Sequence, residues 1–208
     1  MTRPPAAALI ATLVVPAAVF AWLGDRVARK EAMGWDGSTA RLIDTTVPRV
    51  DVPLGAETLL IAGALAGAAA VAAIVVGAAR RGRVRELAFL ALSVGGMFAL
   101  DPLLKAAFRR PPVTPDGTGY TFPSGTAMVS LALAAALVLL IRRPALRWVA
   151  VAAGGTAALA LGVSVVYARW HYPSDVVGGW CVALGWVSLL WLALLAPRRR
   201  RAQRESAR

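Results

Sequence analysis

The 208-residue sequence contains very little cysteine, histidine, lysine and acidic charge. Its one cysteine, Cys181, excludes an intrachain disulfide and with it the disulfide-rich secreted scaffolds. Charged residues make up 16% of the chain, whereas soluble domains average about 25%. Apolar residues reach 58%, which excludes intrinsic disorder and an ordinary cytosolic enzyme. The composition therefore indicates an integral membrane protein.

Six apolar runs approach the length of roughly 20 residues that a helix needs to cross a bilayer. They cover residues 6–24, 56–79, 87–104, 124–141, 148–168 and 176–196. The third is the weakest, because Asp101 and Pro102 lie near its end. None has the one-sided apolar pattern of a helix that faces water. We therefore predict an all-α membrane protein with six transmembrane helices in one helical-bundle domain.

Small residues recur within these runs and predict close helix packing. The glycines in question are Gly63, Gly67, Gly95, Gly96, Gly154, Gly155, Gly178 and Gly179.

The arginines are concentrated in loops on one side of this predicted bundle. Fourteen of the 23 basic residues lie at the N-terminus, in loops 80–86 and 142–147, and after Pro197, beside only two acidic residues. The positive-inside rule makes this side cytoplasmic, so both termini are predicted to be inside. The net charge of +12 is then a topology and anionic-lipid signal, and nucleic acid is not expected as a partner. The outer segments are 25–55, 105–123 and 169–175.

The chain is expected to divide into three regions. Residues 1–55 hold the first transmembrane helix and an outer-face interfacial segment, which carries five acidic and five basic residues and includes a short helix. Residues 56–196 form a five-helix core, and residues 197–208 form an arginine-rich cytoplasmic tail.

Ionisable side chains are costly at membrane depth, yet several collect at the outer ends of spans three to six. Lys105 and Arg109 are one helical turn apart and Arg110 follows, a spacing that directs cations at one point and suits an anionic group. Pro111 and Pro112 then end the helix. The alternative is that these basic side chains merely extend to the interface.

Ser124 and Gly125 open the fourth span, with Pro123 expected in the first helical turn. A hydroxyl and free backbone N–H groups at a helix N-terminus form a ready site for an anion. The alternative is an ordinary serine N-cap followed by a small residue for packing.

His171, the only histidine, precedes Asp175 by four residues at the start of the sixth span. Both lie on one helix face, or, if Pro173 breaks the helix, Asp175 caps the sixth span beside the imidazole. A carboxylate on one ring nitrogen fixes the tautomer and leaves the other nitrogen free to attack. The alternative is a histidine in an aromatic belt with Trp170 and Tyr172.

The three groups fall on the same predicted side of the membrane. Cations, a helix N-terminus and a His–Asp pair are together the components of phosphoryl transfer through a histidine. No metal-ligand spacing of His, Cys or acidic residues is present, so a metal is not expected.

In order and spacing, these groups resemble the three motifs of the type 2 phosphatidic acid phosphatase superfamily of integral membrane lipid phosphatases. The family pattern is Lys-x6-Arg-Pro, then Pro-Ser-Gly-His, then Ser-Arg-x5-His-x3-Asp. The matching residues are Lys105, Pro123, Ser124, Gly125, Ser164, His171 and Asp175.

The sequence departs from the family pattern in each motif. The first motif's Arg-Pro, the second motif's histidine and the third motif's arginine are replaced by Pro112 and Val113, by Thr126 and by Val165. Arg109 and Arg110 lie close to the missing arginine, and Arg110-Pro111 is similar to the inner Arg-Pro of members that read Arg-Pro-Arg-Pro.

The resemblance implies a hydrolase in which His171 attacks phosphorus, Asp175 orients and charges the imidazole, and water hydrolyses the phosphohistidine. Lys105 with Arg109 or Arg110 would neutralise the phosphate, helped by Ser124 and the Gly125 N–H. The family needs no metal or other cofactor. Its substrates are lipid phosphates or diphosphates, such as phosphatidate, phosphatidylglycerophosphate or polyprenyl diphosphates, which implies a role in cell-envelope lipid metabolism. The site is expected to face outward from the plasma membrane.

In the family, the second motif's histidine protonates the leaving oxygen, a task for which the Thr126 hydroxyl is unsuited. Three alternatives follow. The substrate has a good leaving group such as a phosphate, or Arg169 or a water replaces the histidine and leaves Thr126 in a working variant of the catalytic site. Otherwise the chain is a degenerate relative that binds or transports a lipid phosphate without hydrolysis.

Overall fold

The computed structural model describes residues 6–31, 33–46, 75–77, 80–115 and 117–195. Its helices are α1 (Ala6–Ala28), α2 (Gly34–Thr46), α3 (Val84–Phe108), α4 (Gly125–Leu140), α5 (Pro144–Tyr167) and α6 (Pro173–Leu190), followed by a π-helical turn (Trp191–Leu195). These residues contain no β-strand, so the all-α prediction is confirmed for the part of the chain that is described.

Four described helices are long and apolar enough to cross a membrane, namely α1, α3, α5 and α6 with its extension to Leu194. Helix α4 is apolar but shorter, at 16 residues. Large apolar side chains such as Phe98, Trp148 and Leu159 are exposed on the outside of the bundle. A multi-pass membrane protein has this surface, because its surroundings are lipid.

The predicted second span, 56–79, lies almost wholly outside the described residues. The count of six spans and the side on which the termini lie therefore stay predictions.

Helix α3 continues beyond the apolar third span, as expected if Pro111 and Pro112 end the helix. It passes through Pro102 and ends at Phe108, with Arg109 in a left-handed conformation at φ 49°. The Arg109 N–H bonds to the Lys105 carbonyl over 2.9 Å and closes the last turn. Proline is tolerated inside membrane helices, where local adjustments satisfy the freed backbone carbonyl. The last turn of α3 places Lys105 at the end of the bundle.

Helix α4 lies at the centre of the described bundle and packs against α3, α5 and α6, while α1 packs on α6. Its buried residues Met128, Ala132 and Ala136 are four apart and therefore share one face. They form a core with residues of α3, α6 and the π-helical turn, namely Phe89, Leu90, Met97, Ala183, Val187 and Trp191.

An aromatic cluster closes one end of the bundle. The rings of Phe20, Phe108 and Phe122 contact one another with centroids 5.0–5.6 Å apart. A Cβ on Gly24 would lie 2.7 Å from the Phe108 ring, and a Cβ on Gly178 would lie 2.7 Å from the Phe122 ring. The two glycines therefore allow α1 and α6 to pack directly against these rings. The cluster holds the segment before α4 against α1, α3 and α6.

The short helix expected between residues 25 and 55 is present as α2. It packs on the adjacent ends of α5 and α6, where its Ala40 and Ile43 meet the buried Val165 and Val176. The position of α2 at a membrane interface stays a prediction.

Several of the glycines expected at helix contacts do sit there. A Cβ would come within 3 Å of a neighbouring atom at Gly96, Gly154, Gly178 and Gly179, whereas Gly95 and Gly155 face open space. Gly63 and Gly67 lie outside the described residues. Gly179 is the most restrictive, because its Cβ would lie 2.6 Å from the backbone carbonyl oxygen of Ser124.

We predict that Gly179→Ala destabilises the protein by about 1–3 kcal/mol, because the methyl group separates α6 from the start of α4. Thermal unfolding in detergent micelles measures the change. Gly155→Ala is the matched control, since nothing lies within 4 Å of the added Cβ. Equal midpoints for the two variants would contradict the close approach.

Candidate active site

Four chain segments meet at one end of the bundle: the C-terminal end of α3, the N-terminus of α4, the loop after α5 and the N-terminus of α6. The arginines that precede or open α3 and α5 lie at the opposite end, where Arg142 approaches Glu86 over 3.6 Å. The candidate site is thus separated from the arginine-rich loops by the length of the bundle.

Lys105 lies in the last turn of α3 and faces the same way as Asp101, four residues earlier. Its Nζ donates to Asp101 Oδ2 over 3.0 Å, and both side chains are 25% exposed. The other carboxylate oxygen, Oδ1, is buried, and no described residue donates a hydrogen bond to it. A Cβ on Gly125 would lie 2.7 Å from Oδ1, so Asp101 packs directly against the start of α4.

Ser124 caps α4. Its hydroxyl accepts from the Ala127 N–H over 3.5 Å, and its own N–H donates to the Asp175 carbonyl over 2.9 Å. This bond joins the start of α4 to the first turn of α6. Pro123 was expected inside the first helical turn, but it lies outside the helix. The backbone of Ser124 is extended, so Ser124 is the N-cap and the first helical residue is Gly125.

His171 and Asp175 adopt the second of the two predicted arrangements. Tyr172 is the N-cap of α6, Pro173 follows it, and Asp175 accepts the Tyr172 N–H at Oδ2 over 2.9 Å. His171 Nδ1 lies 3.5 Å from the same Oδ2 and is buried without a hydrogen-bond partner among the described residues. His171 lines the adjoining cavity, and Nε2 is the ring nitrogen that does not face Asp175.

A cavity of about 610 Å³ brings several of the predicted residues together. Its polar wall consists of Asp101, Lys105, Gly125, Thr126 and His171. Its apolar and weakly polar wall consists of Met97, Phe98, Val129, Ser130, Leu133 and Leu161. The cavity therefore combines an ionic end with an apolar flank between α3, α4 and α5.

Arg110 does not line this cavity, although it is the neighbour of Arg109 in sequence. Its guanidinium donates to Asp175 Oδ1 over 2.6 Å and to Asp36 Oδ2 over 2.8 Å, and it stacks on the Tyr172 ring at 3.9 Å. The side chain is 11% exposed. Arg110 thus contacts Asp175 through Oδ1, the carboxylate oxygen that is not the one nearest to the imidazole of His171.

Arg109 and Arg169 also lie outside the cavity. Arg109 donates to the Ala106 carbonyl and is exposed, because the left-handed turn at this residue directs it away from Arg110. Arg169 pairs with Asp44 of α2 over 2.6 Å at an exposed position.

Two acidic residues, Asp101 and Asp36, contact residues of the candidate site, although no role was predicted for them from the sequence. Asp101 gave a partial signal, as an ionisable residue within an apolar run. Asp36 gave none, since it lies in a polar segment and is 74 residues from its partner Arg110. Within the described ranges, no group of three or more His, Cys, Asp or Glu residues is arranged to hold a metal ion.

The family model of the PAP2 superfamily matches residues 87–201, which is more than half of the chain. The chain therefore belongs to the PAP2 superfamily, and the resemblance seen in the motifs is confirmed. The matched range begins inside α3 and does not include α1 or α2.

The chain is also similar to a solved structure described as the first transmembrane PAP2 type phosphatidylglycerolphosphate phosphatase from Bacillus subtilis. The two share 20% sequence identity with a TM-score of 0.59, over 89% of this chain and 98% of that chain. At this identity the likeness shows a common fold. A comparison with curated proteins gives no match.

We predict that Arg110→Ala lowers the free energy of unfolding by about 3–5 kcal/mol, because it leaves two buried carboxylates without their shared cation. Chemical denaturation in detergent measures this change. Arg169→Ala removes an exposed ion pair and should cost no more than about 1 kcal/mol. If Arg110→Ala is as stable as Arg169→Ala, the buried network does not hold α2 and α6 together.

Proposed function

We propose that the protein is a metal-independent membrane lipid phosphatase that forms a phosphohistidine on His171. The observation that carries the proposal is the single cavity lined by Lys105, the N-terminus of α4 and His171, with Asp175 directly behind the imidazole. Superfamily membership supports the reaction class.

In the proposed reaction, His171 Nε2 attacks phosphorus and the bond from phosphorus to the lipid oxygen breaks. Asp175 stabilises the positive charge that develops on the imidazole through Nδ1. Lys105 and the backbone N–H groups of Gly125 and Thr126, at the start of α4, bind the phosphoryl oxygens. Water then attacks phosphorus, the P–N bond breaks, and inorganic phosphate and free His171 result.

The apolar flank of the cavity suits a lipid substrate. Phe98 and Leu161 line it and are also exposed on the outside of the bundle, so an acyl or prenyl chain reaches the ionic end without crossing water. The candidate substrates are phosphatidate, phosphatidylglycerophosphate and polyprenyl diphosphates. The name of the structural relative makes phosphatidylglycerophosphate the first to test.

Thr126 lines the cavity where the family pattern has histidine. A lipid diphosphate is a suitable substrate for such a site, because its leaving group is a phosphate and needs less protonation than an alkoxide.

The proposed membrane arrangement has six spans, both termini in the cytoplasm and the site at the outer face of the plasma membrane. It keeps the division into residues 1–55, a core of 56–196 and a tail of 197–208. The position of the candidate site at the end opposite Arg142 and Glu86 supports this orientation.

A second candidate function is binding or transport of a lipid phosphate without hydrolysis. It is favoured by the pairing of Lys105 with Asp101, by the engagement of Arg110 with two carboxylates, and by Thr126. In this function the cavity binds the phosphate group but lacks the group that protonates the leaving oxygen.

We predict that the purified protein releases phosphate from a panel of lipid phosphates and diphosphates, and that a chelator has no effect. His171→Ala removes the nucleophile and should abolish release, whereas Arg41→Ala, on the exposed face of α2, should leave it unchanged. Saturable lipid-phosphate binding without release from any member of the panel would establish the second function. Undiminished release by His171→Ala would falsify the proposed nucleophile.

We predict that Asp101→Asn strengthens competitive inhibition by inorganic phosphate about tenfold, which corresponds to about 1.4 kcal/mol. The substitution removes a negative charge beside the phosphate position and frees Lys105. The inhibition constant measures the effect. Asp25→Asn is the control, because its carboxylate pairs with Arg29 on the exposed surface. Unchanged or weaker inhibition in Asp101→Asn would show that phosphate does not bind at this end of the cavity.

A further inference from the structure

A buried ionic network joins α2 to the first turn of α6. Asp36, Arg110 and Asp175 have side chains that are 8%, 11% and 0% exposed. The two carboxylates are held by the same guanidinium, Asp175 through Nη1 and Asp36 through Nη2. Because one cation serves two buried anions, the position of Arg110 depends on both.

Ser174 completes the network. Its N–H donates to Asp36 Oδ1 over 2.8 Å, and its hydroxyl donates to Asp36 Oδ2 over 2.7 Å and accepts from Arg110 over 2.6 Å. Asp36 therefore satisfies a backbone N–H in the first turn of α6, where a negative charge is favourable. A side chain from another helix thus caps the helix that carries Asp175.

We propose that Asp36 is a positioning residue for the His171–Asp175 pair. The inference rests on the proposed function only for the role of His171 as nucleophile. Asp36 lies in α2, outside the matched range 87–201, and does not line the cavity. It acts through Arg110, which it keeps at the Oδ1 side of Asp175 so that Oδ2 remains turned to the imidazole.

The physical reason is the geometry of the guanidinium. Arginine and a carboxylate pair most strongly through two parallel hydrogen bonds, which would engage both Oδ1 and Oδ2 of Asp175. Asp36 prevents this by binding Nη2, so Arg110 reaches Asp175 through Nη1 alone. Without the charge of Asp36, Arg110 turns toward a two-bond pair and competes with His171 for Oδ2.

The competition determines which imidazole nitrogen is nucleophilic. A proton on Nδ1, which lies 3.5 Å from Asp175 Oδ2, leaves the lone pair on Nε2 for attack on phosphorus. Loss of that acceptor shifts the proton to Nε2, which then has no lone pair for attack on phosphorus. Asp36 thereby favours the reactive tautomer from a helix that does not line the cavity.

The test uses the full-length chain labelled with ¹⁵N-histidine in detergent micelles. Since His171 is the only histidine, one pair of ring-nitrogen signals reports its tautomer at alkaline pH. We expect wild type to carry the proton on Nδ1, and Asp36→Asn to shift the tautomer ratio about tenfold toward Nε2–H. Asp44→Asn is the matched control on the same helix, because its partner Arg169 is exposed, and it should keep the wild-type spectrum.

Kinetics supply the second readout. Asp36→Asn should lower kcat about 10- to 100-fold while KM changes less than about twofold, because orientation of the nucleophile is lost and phosphate binding is kept. Asp36→Glu, which retains the charge, should recover part of kcat. A wild-type tautomer ratio in folded Asp36→Asn, or an Nε2–H imidazole in wild type, overturns the proposal.

The spectrum separates this inference from the proposed function. If wild type releases no phosphate but Asp36→Asn still shifts the tautomer, the positioning role holds and the hydrolase proposal fails. If Asp36→Asn does not fold, Ser174→Ala replaces it, since it removes only the hydroxyl link between Asp36 and Arg110. We expect a smaller shift in the same direction, and a folded Ser174→Ala with no shift overturns the proposal.

Discussion

Asp175 is fully buried, and it joins the start of α4, the segment after α3 and the start of α6. Its carbonyl accepts the Ser124 N–H, its Oδ1 binds Arg110, and its Oδ2 accepts the Tyr172 N–H and faces His171. A buried carboxylate costs several kcal/mol unless a cation and hydrogen bonds offset the lost hydration. The site is therefore ordered because Asp175 requires partners from three parts of the chain.

The bundle supplies these partners at one end and an apolar surface along its length. The start of α4 approaches α6 because Gly179 has no side chain, and the rings of Phe20, Phe108 and Phe122 hold the preceding loop in place. These contacts consist of apolar packing and backbone hydrogen bonds, which remain strong when the surroundings are lipid. Buried ionic groups meet at the end that holds the candidate site, whereas Glu86 and its arginines lie at the opposite end.

Much of the described fold could be predicted from the sequence, because a run of apolar residues long enough to span a bilayer leaves few alternatives to a helix. Helix α3 continues through Pro102 because proline is tolerated inside membrane helices. The grouping of Lys105, Gly125, Thr126 and His171 around one cavity agrees with the motif order. Their roles stay proposals.

The sequence could not distinguish Arg109 from Arg110. The left-handed turn at Arg109 sends adjacent arginines in different directions, one to the surface and one into a buried network. The contact of Asp36 with Arg110 spans 74 residues and follows no periodic pattern. Such long-range ionic contacts depend on how α2 docks on α5 and α6, which local sequence does not encode.

The most direct test of the central claim is detection of the covalent intermediate. The protein is quenched in alkali during turnover with a lipid phosphate, and ³¹P NMR with peptide mass spectrometry locates any bound phosphoryl group. The account predicts an alkali-stable, acid-labile phosphoryl group on Nε2 of His171. Phosphate release with no phosphorylated histidine, or with the phosphoryl group on another side chain, would contradict it.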